Sequence, residues 1–216
     1  MITLYLDTTS SFLYTAIIEN DSVIAEIKEE LGNNLSEYTL PRIEEMFSVK
    51  GIQPDDIGKI IVVNGPGSFT GIRIGLTIAK TFAWAKNIPI IPISSLEAMA
   101  ISIDGDYDYA VPAIDARRGC LYTSIYDVKN NSFIMDEKYV SNDTLNAVLD
   151  SMIGKIGFVT NDVLDVKYDV QPYDPKIEKI VSLVKDRDSV NPHSIDANYL
   201  KMTEAEEKKM SEKEND

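Results

Sequence analysis

The feature that most restricts this chain is the segment Gly65-Pro-Gly-Ser-Phe-Thr-Gly-Ile-Arg-Ile-Gly75, which carries four of its eleven glycines. It follows Lys59–Val63, a near-continuous apolar run of the kind found in a buried central strand. It leads into a helical pattern from about Gly71 to Lys86. A buried strand that passes into a helix through a glycine-rich loop belongs to an α/β fold. Backbone N–H groups in such a loop are free to bind an anion. The same glycines also suit a tight loop pressed against other backbone, and both readings stand here. The segment is not a Walker A loop, because no Gly-Lys-Ser/Thr follows at the required spacing, and it is not the dinucleotide fingerprint. If it holds phosphate, the residues concerned are Gly65, Gly67 and Ser68, with Asp7 and Thr8 from the first turn.

Gly71, Gly75, Ala79 and Ala83 recur every four residues and form one stripe of small side chains. A glycine inside a helix costs about 1 kcal/mol relative to alanine, so the stripe needs a packing reason. Either the protein's own sheet or a partner helix supplies it. Ile72, Leu76 and Ile78 extend the apolar surface, as in a helix buried on more than one side.

The order of elements around this segment narrows the fold. Ile2–Leu6, Leu13–Ile18 and Val23–Ile27 read as a meander, with Asn20-Asp21 as a hairpin turn. Leu40, Ile43, Glu44 and Phe47 sit three and four apart on a helix of roughly three turns, with Pro41 early and Gly51 just past its end. Ile88–Ile93 reads as another strand, with Pro89 and Pro92 pointing to an edge or an end. A helix capped by Ser94 or Ser95 follows and runs to about Ile103. Three meandering strands and then alternating helices and strands describe a ribonuclease-H-like unit. Strands are expected at Ala110–Ile114, Cys120–Tyr126, Phe133–Val140 and Lys155–Thr160, and helices at Thr144–Met152 and Pro175–Val184. The fold class expected is therefore α/β, two-lobed and ribonuclease-H-like, of the actin, sugar-kinase and Hsp70 type, with a reduced second lobe. The lobes are expected at 1–103 and 104–202, followed by a charged, flexible tail at 203–216.

Composition bears on function. The formal net charge is −14, which speaks against autonomous binding of nucleic acid, since phosphate neutralisation needs clustered lysine and arginine. The single histidine, His193, and the single cysteine, Cys120, leave no metal-ligand set and no internal disulfide. No apolar run reaches membrane-span length, and the N-terminus lacks the pattern of a signal peptide, so a cytoplasmic location is expected. Asp7 ends the first strand, where ribonuclease-H-like proteins often hold a metal-associated carboxylate; a turn-forming carboxylate is the other reading. Asp115, Arg117 and Arg118 close a later strand and suit either an anion, a partner's carboxylate or a solvated turn.

Together these residues resemble a known family. The opening Ile-Thr-Leu-Tyr-Leu-Asp-Thr-Thr, the loop and helix from Gly65, the stretch Ile-Pro-Ile-Ile-Pro-Ile-Ser-Ser-Leu-Glu-Ala, the segment Ile-Asp-Ala-Arg-Arg-Gly and the late Tyr199-Leu200-Lys201 are similar to the TsaB (YeaZ) family. The resemblance implies a non-catalytic subunit that binds and stabilises a TsaD-type threonylcarbamoyltransferase. That subunit is needed to form N6-threonylcarbamoyladenosine at position 37 of ANN-decoding tRNAs. It implies a heterodimer with the transferase, a TsaE-type ATPase as third member, a homodimer when alone, and contact with tRNA only through the complex. ATP or ADP and a metal ion are then held by the partners. The family's partner surface comprises its first two helices, which here means Leu40, Ile43, Met46, Phe47, Gly71, Ile72, Gly75, Leu76 and Ala79. On that basis Gly75→Trp is expected to abolish pairing and spare the fold. The chain departs from the family at Leu35-Ser36, where His-Ser is common. The rival readings are an actin-like ATPase or small-molecule kinase, with nucleotide at Asp7 and the Gly65–Gly71 loop, and a glycoprotease-like hydrolase.

Overall fold

The computed structural model describes residues 1–201. The first half contains β1 (Ile2–Asp7), β2 (Phe12–Glu19), β3 (Ser22–Glu30), α1 (Leu35–Lys50), β4 (Ile57–Val63), α2 (Phe69–Lys86), β5 (Ile90–Ile93) and α3 (Ser95–Ile101). The second half contains β6 (Tyr109–Asp115), β7 (Cys120–Asp127), β8 (Ser132–Ser141), α4 (Asn142–Leu149), β9 (Ile156–Val159), β10 (Asp169–Gln171) and α5 (Ile177–Val184). The strands form two five-stranded sheets, ordered β3-β2-β1-β4-β5 and β10-β9-β6-β7-β8. In each, three antiparallel strands are extended by two parallel ones. The second sheet thus has the full strand complement. Its reduction lies in the four-residue β9 and three-residue β10, the latter not foreseen from the sequence.

Local chemistry explains most boundaries. Asn20 and Asp21 both take positive φ, 50° and 68°, as a two-residue hairpin between twisted strands demands. Gly51 at φ 65° caps α1 by donating its N–H to the last-turn carbonyls. Ser94 caps α3 by accepting from the Leu96 N–H at 3.1 Å. β5, with its prolines, is the sheet edge. One expectation needs correction. α1 begins at Leu35, so Pro41 stands inside the helix and not near its start. Its side chain is exposed, where the freed carbonyl one turn earlier can meet water.

Three apolar clusters hold the layers together. Leu4, Leu6, Ile43, Phe47, Ile60, Val62 and Ile72 pack α1 and α2 on one face of the first sheet. Val111, Ile125, Leu145, Leu149 and Phe158 pack α4 on the second sheet. The third cluster joins Tyr5, Tyr14 and Ile61 of the first half to Ala110, Tyr126 and Val159 of the second, with α3 and α5 between. The chain beyond α5 returns to the first lobe, where Val190 bridges to Ile90 and Ile195 is buried beside α2. The tail expected at 203–216 lies outside the described residues.

Ile195 should therefore behave as a core residue of the first lobe. Ile195→Ala is expected to lower unfolding free energy by about 2–5 kcal/mol in urea titration. Val163→Ala, at a fully exposed position, is expected to stay within about 0.5 kcal/mol of the parent.

Candidate functional site

The two lobes face each other across a cavity of about 660 Å³. Its first-lobe wall includes Thr9, Ser10, Ser11, Gly67, Ser68 and Thr70, and its second-lobe wall includes Ala113, Ile114, Asp115, Tyr122, Asn161 and Asp162. Tyr173 and Met99 also line it, as do Leu35 and Ser36 at the start of α1. Leu35 is thus a buried wall residue.

The first turn is built around Asp7. Its Oδ1 accepts the Thr9 N–H at 2.8 Å and the Thr9 hydroxyl at 2.7 Å, and its Oδ2 accepts the Tyr173 hydroxyl at 3.4 Å. The carboxylate is 1% exposed. Burial pushes its pKa above the ordinary 3.8, although the Thr9 and Tyr173 bonds pull the other way. Asp7 thus has the geometry of a turn-forming carboxylate, the second of the two readings that the sequence leaves open.

The glycine loop sits directly on that turn. A Cβ on Gly67 would come 2.3 Å from the Thr9 carbonyl oxygen, and one on Gly71 would come 2.0 Å from the Thr8 carbonyl oxygen. A Cβ on Gly75 would stand 2.5 Å from the Thr8 hydroxyl. Ser68 donates its N–H to the Thr9 carbonyl at 2.7 Å, the Thr8 hydroxyl donates to the Gly71 carbonyl at 2.7 Å, and Gly65 accepts from Ser95 N–H at 2.9 Å. The stripe Gly71-Gly75-Ala79-Ala83 is buried inside the first lobe, with its two glycines against the β1–β2 turn. This corrects the reading of the stripe as a partner-helix contact.

The expected partner residues divide accordingly. Ile43, Met46, Phe47, Ile72, Leu76 and Ala79 are core residues of the first lobe, and Gly71 and Gly75 meet Thr8. Leu40 alone of the nine is solvent-facing, 48% exposed. Gly75→Trp must therefore displace Thr8, so it challenges folding and cannot report on pairing alone. The apolar atoms that α2 does present are those of Ile74, Ile78 and Phe82, half-buried at successive four-residue steps, and of exposed Phe69 and Trp84.

The second lobe repeats the first turn. Asp115 ends β6 as Asp7 ends β1, and its Oδ1 accepts the Arg117 N–H at 2.8 Å. Its own N–H donates to Asp162 Oδ2 at 2.7 Å. Arg117, Arg118 and Gly119 take positive φ of 65°, 56° and 71°, and both arginine side chains are exposed. Unlike Asp7, Asp115 is open to the cavity. Among the described residues no lysine or arginine lines the cavity, and the N–H groups of Thr9, Phe12, Ser68, Gly71, Asp115 and Arg117 already have acceptors. No group of three or more metal-ligating side chains occurs among the described residues. His193 is exposed, edge-to-face with Trp84 at 6.1 Å, and Cys120 is a free, half-buried thiol near the β6–β7 turn. Sequence reasoning missed Tyr173, Asn161 and Asp162, which stand in irregular segments without periodicity.

Two tandem units of identical strand order, closed on a polar cleft, define the two-lobed ribonuclease-H-like class. Residues 23–182 match the family model described as TsaD: tRNA N6-adenosine threonylcarbamoyltransferase. The tRNA threonylcarbamoyladenosine biosynthesis protein TsaB of Bacillus subtilis (strain 168) is 33% identical over 96% of this chain and 97% of its own length. The TsaB protein of Haemophilus influenzae is 33% identical over 56% of this chain and 52% of its own. A crystal structure described as an uncharacterized protein with similarity to peptidase YEAZ from Pseudomonas aeruginosa superposes with a TM-score of 0.79, at 19% identity over 93% of this chain and 99% of that one. The chain belongs to the TsaB (YeaZ) family.

Two predictions follow from this geometry. Gly71→Ala, which forces a Cβ onto backbone, is expected to cost at least about 3 kcal/mol. Gly51→Ala, at positive φ but with open space around it, is expected to cost about 1 kcal/mol, both by urea titration. Asp7→Asn retains the acceptor for Thr9, reverses the contact to Tyr173 so that an amide N–H donates to the hydroxyl oxygen, and removes the buried charge. A carboxyl raised on folding binds more protons in the native state, so the parent loses stability as pH rises above 3.8. Asp7→Asn should lack that loss, leaving it more stable than the parent at pH 7 and not below pH 3.8 in thermal melts.

Proposed function

We propose that this chain is a non-catalytic partner of a TsaD-type transferase in the formation of N6-threonylcarbamoyladenosine in tRNA. The observation that carries the reading is full-length similarity, 33% identity over 96% of the chain, to a protein named for that pathway. The state of the cleft supports it. The carboxylate at the end of β1 is buried and bonded within its own turn, and the loop glycines are filled by backbone. The heterodimer forms through the outer face of α1 and α2, where Leu40, Ile74, Ile78 and Phe82 present apolar atoms. That face is also where the free chain pairs with itself. A TsaE-type ATPase joins the pair, and ATP or ADP and the metal ion reside on the partners. A chain of net charge −14 leaves tRNA contact to them as well. No described helix is long and apolar enough to cross a membrane, in keeping with work in the cytoplasm.

The test is reconstitution of tRNA threonylcarbamoylation with purified transferase and ATPase, with and without this chain. Activity is expected to depend on it; equal activity without it refutes the reading. Leu40→Glu combined with Ile78→Glu is expected to abolish co-elution with the transferase in size-exclusion chromatography while the circular dichroism spectrum is retained. Calorimetry with ATP and Mg²⁺ decides against the kinase or ATPase reading if the isolated chain gives no binding heat.

A further inference from the structure

From Tyr173 onward the chain leaves the second sheet and travels around the first lobe. Asp174 pairs with Lys28 at 2.6 Å, Glu178 accepts the Val23 N–H at 2.9 Å, and Lys185 pairs with Asp21 at 2.6 Å. The Lys185 carbonyl accepts from Lys59. Val190 donates its N–H to Ile90 at 2.9 Å, the Ile195 carbonyl accepts Lys80 Nζ at 2.9 Å, and Asn198 donates its N–H to Asn64 at 2.8 Å. This segment meets the seam between the lobes at both of its ends.

At the first end, Tyr173 is 8% exposed and touches three elements. Its hydroxyl donates to Asp7 at 3.4 Å, its carbonyl accepts the Tyr14 hydroxyl at 3.4 Å, and its N–H donates to Asn161 Oδ1 at 2.9 Å. The Tyr14 and Tyr173 rings meet edge-on, 5.4 Å apart. Asp7 and Tyr14 belong to the first lobe and Asn161 to the second. At the other end, the Asn198 side-chain amide donates to Glu137 Oε2 on β8 at 2.9 Å and to the Gly65 carbonyl at 3.3 Å. One amide thus ties the edge strand of the second sheet to the glycine loop of the first. Glu137 is half-buried, and its other oxygen has no partner among the described residues.

We propose that residues 173–198 form a strap that locks the two lobes at one angle, with the Tyr173–Asp7 and Asn198–Glu137 contacts as its two fastenings. Opening the cleft requires rotation about the seam. The strap's middle is held to the first lobe by the Val190–Ile90 bridge and by buried Ile195, while Tyr173, two residues past β10, is held to the second lobe by its bond to Asn161, so rotation must break Tyr173–Asp7 at one end and Asn198–Glu137 at the other. Breaking them removes buried hydrogen-bond partners from a carboxylate on each side, which is unfavourable. The fastened chain is a rigid body, in contrast to a cleft that closes on a ligand. The proposal rests on contacts within this chain and is independent of the partner reading above.

The test is amide hydrogen exchange on the full chain carrying Tyr173→Phe together with Asn198→Asp. The first change removes one hydroxyl, and the second sets a carboxylate against Glu137. Exchange in the cavity-lining segments 67–70 and 113–115 is expected to rise about tenfold relative to that of β4, from the loss of two hydrogen bonds that gate local opening. Exchange that stays unchanged at these segments, or rises equally in β4, overturns the proposal. If the double variant loses its circular dichroism spectrum, Tyr173→Phe alone carries the same comparison, with a rise of at least threefold expected.

Discussion

The structure depends on one contact, the approach of the Gly67–Gly75 segment to the Thr8-Thr9 backbone. Three glycines there leave no room for a Cβ, and the hydrogen bonds from Ser68 N–H to Thr9 and from the Thr8 hydroxyl to Gly71 draw the two backbones together. The contact sets the height of α2 above β1, and with it the packing of Ile72, Leu76 and Ala79 into the first-lobe core. It also fixes the loop at the cleft wall, where the Ser68 N–H is bonded to the Thr9 carbonyl and the Gly71 N–H to the Ser68 hydroxyl. The helix-propensity cost of Gly71 and Gly75 is thereby explained without any second molecule.

Much of this was legible in the sequence, for physical reasons that differ from element to element. The meander could be read because Asn20-Asp21 is a turn that tolerates positive φ between alternating strands. The parallel core strand could be read because β4 is apolar on both faces, and β5 declared itself an edge by its prolines. The end of α1 was marked by Gly51, but its start was not, because the helical residues before Leu40 are mainly polar and Asn34 makes no side-chain cap. β10 escaped because three residues give no periodicity. The small-residue stripe was visible as a stripe, but spacing alone cannot say what approaches it. Only coordinates show that Thr8 does.

The site was less legible than the fold. Asp7, Ser68 and Asp115 stand where motif and strand end placed them. Tyr173, Asn161, Asp162, Glu137 and Asn198 come from loops and a strand edge, and meet across sequence separations that no local pattern encodes. The duplication of the two halves is likewise invisible as a repeat. It resides in strand order and in the shared Asx geometry of Asp7 and Asp115, while the side chains around them have little in common.

That shared geometry shows how the halves diverged in use. Both carboxylates accept an N–H two residues on, so both hairpins need an aspartate at the strand end. In the first lobe Tyr173 and Thr9 enclose the carboxylate, and burial raises its pKa; in the second the carboxylate faces the cavity beside Asp162, with Arg117 and Arg118 exposed at the same turn. The same local chemistry thus serves cohesion on one side of the seam and remains open to solvent on the other. The glycines follow the same division. Gly71 and Gly75 exist for contact with the chain itself, whereas Gly119 has open space around it and serves only the positive φ of its turn. The first lobe has therefore turned its cleft-facing loops inward to build a core, and the carboxylates that line the cleft, Asp115 and Asp162, belong to the second.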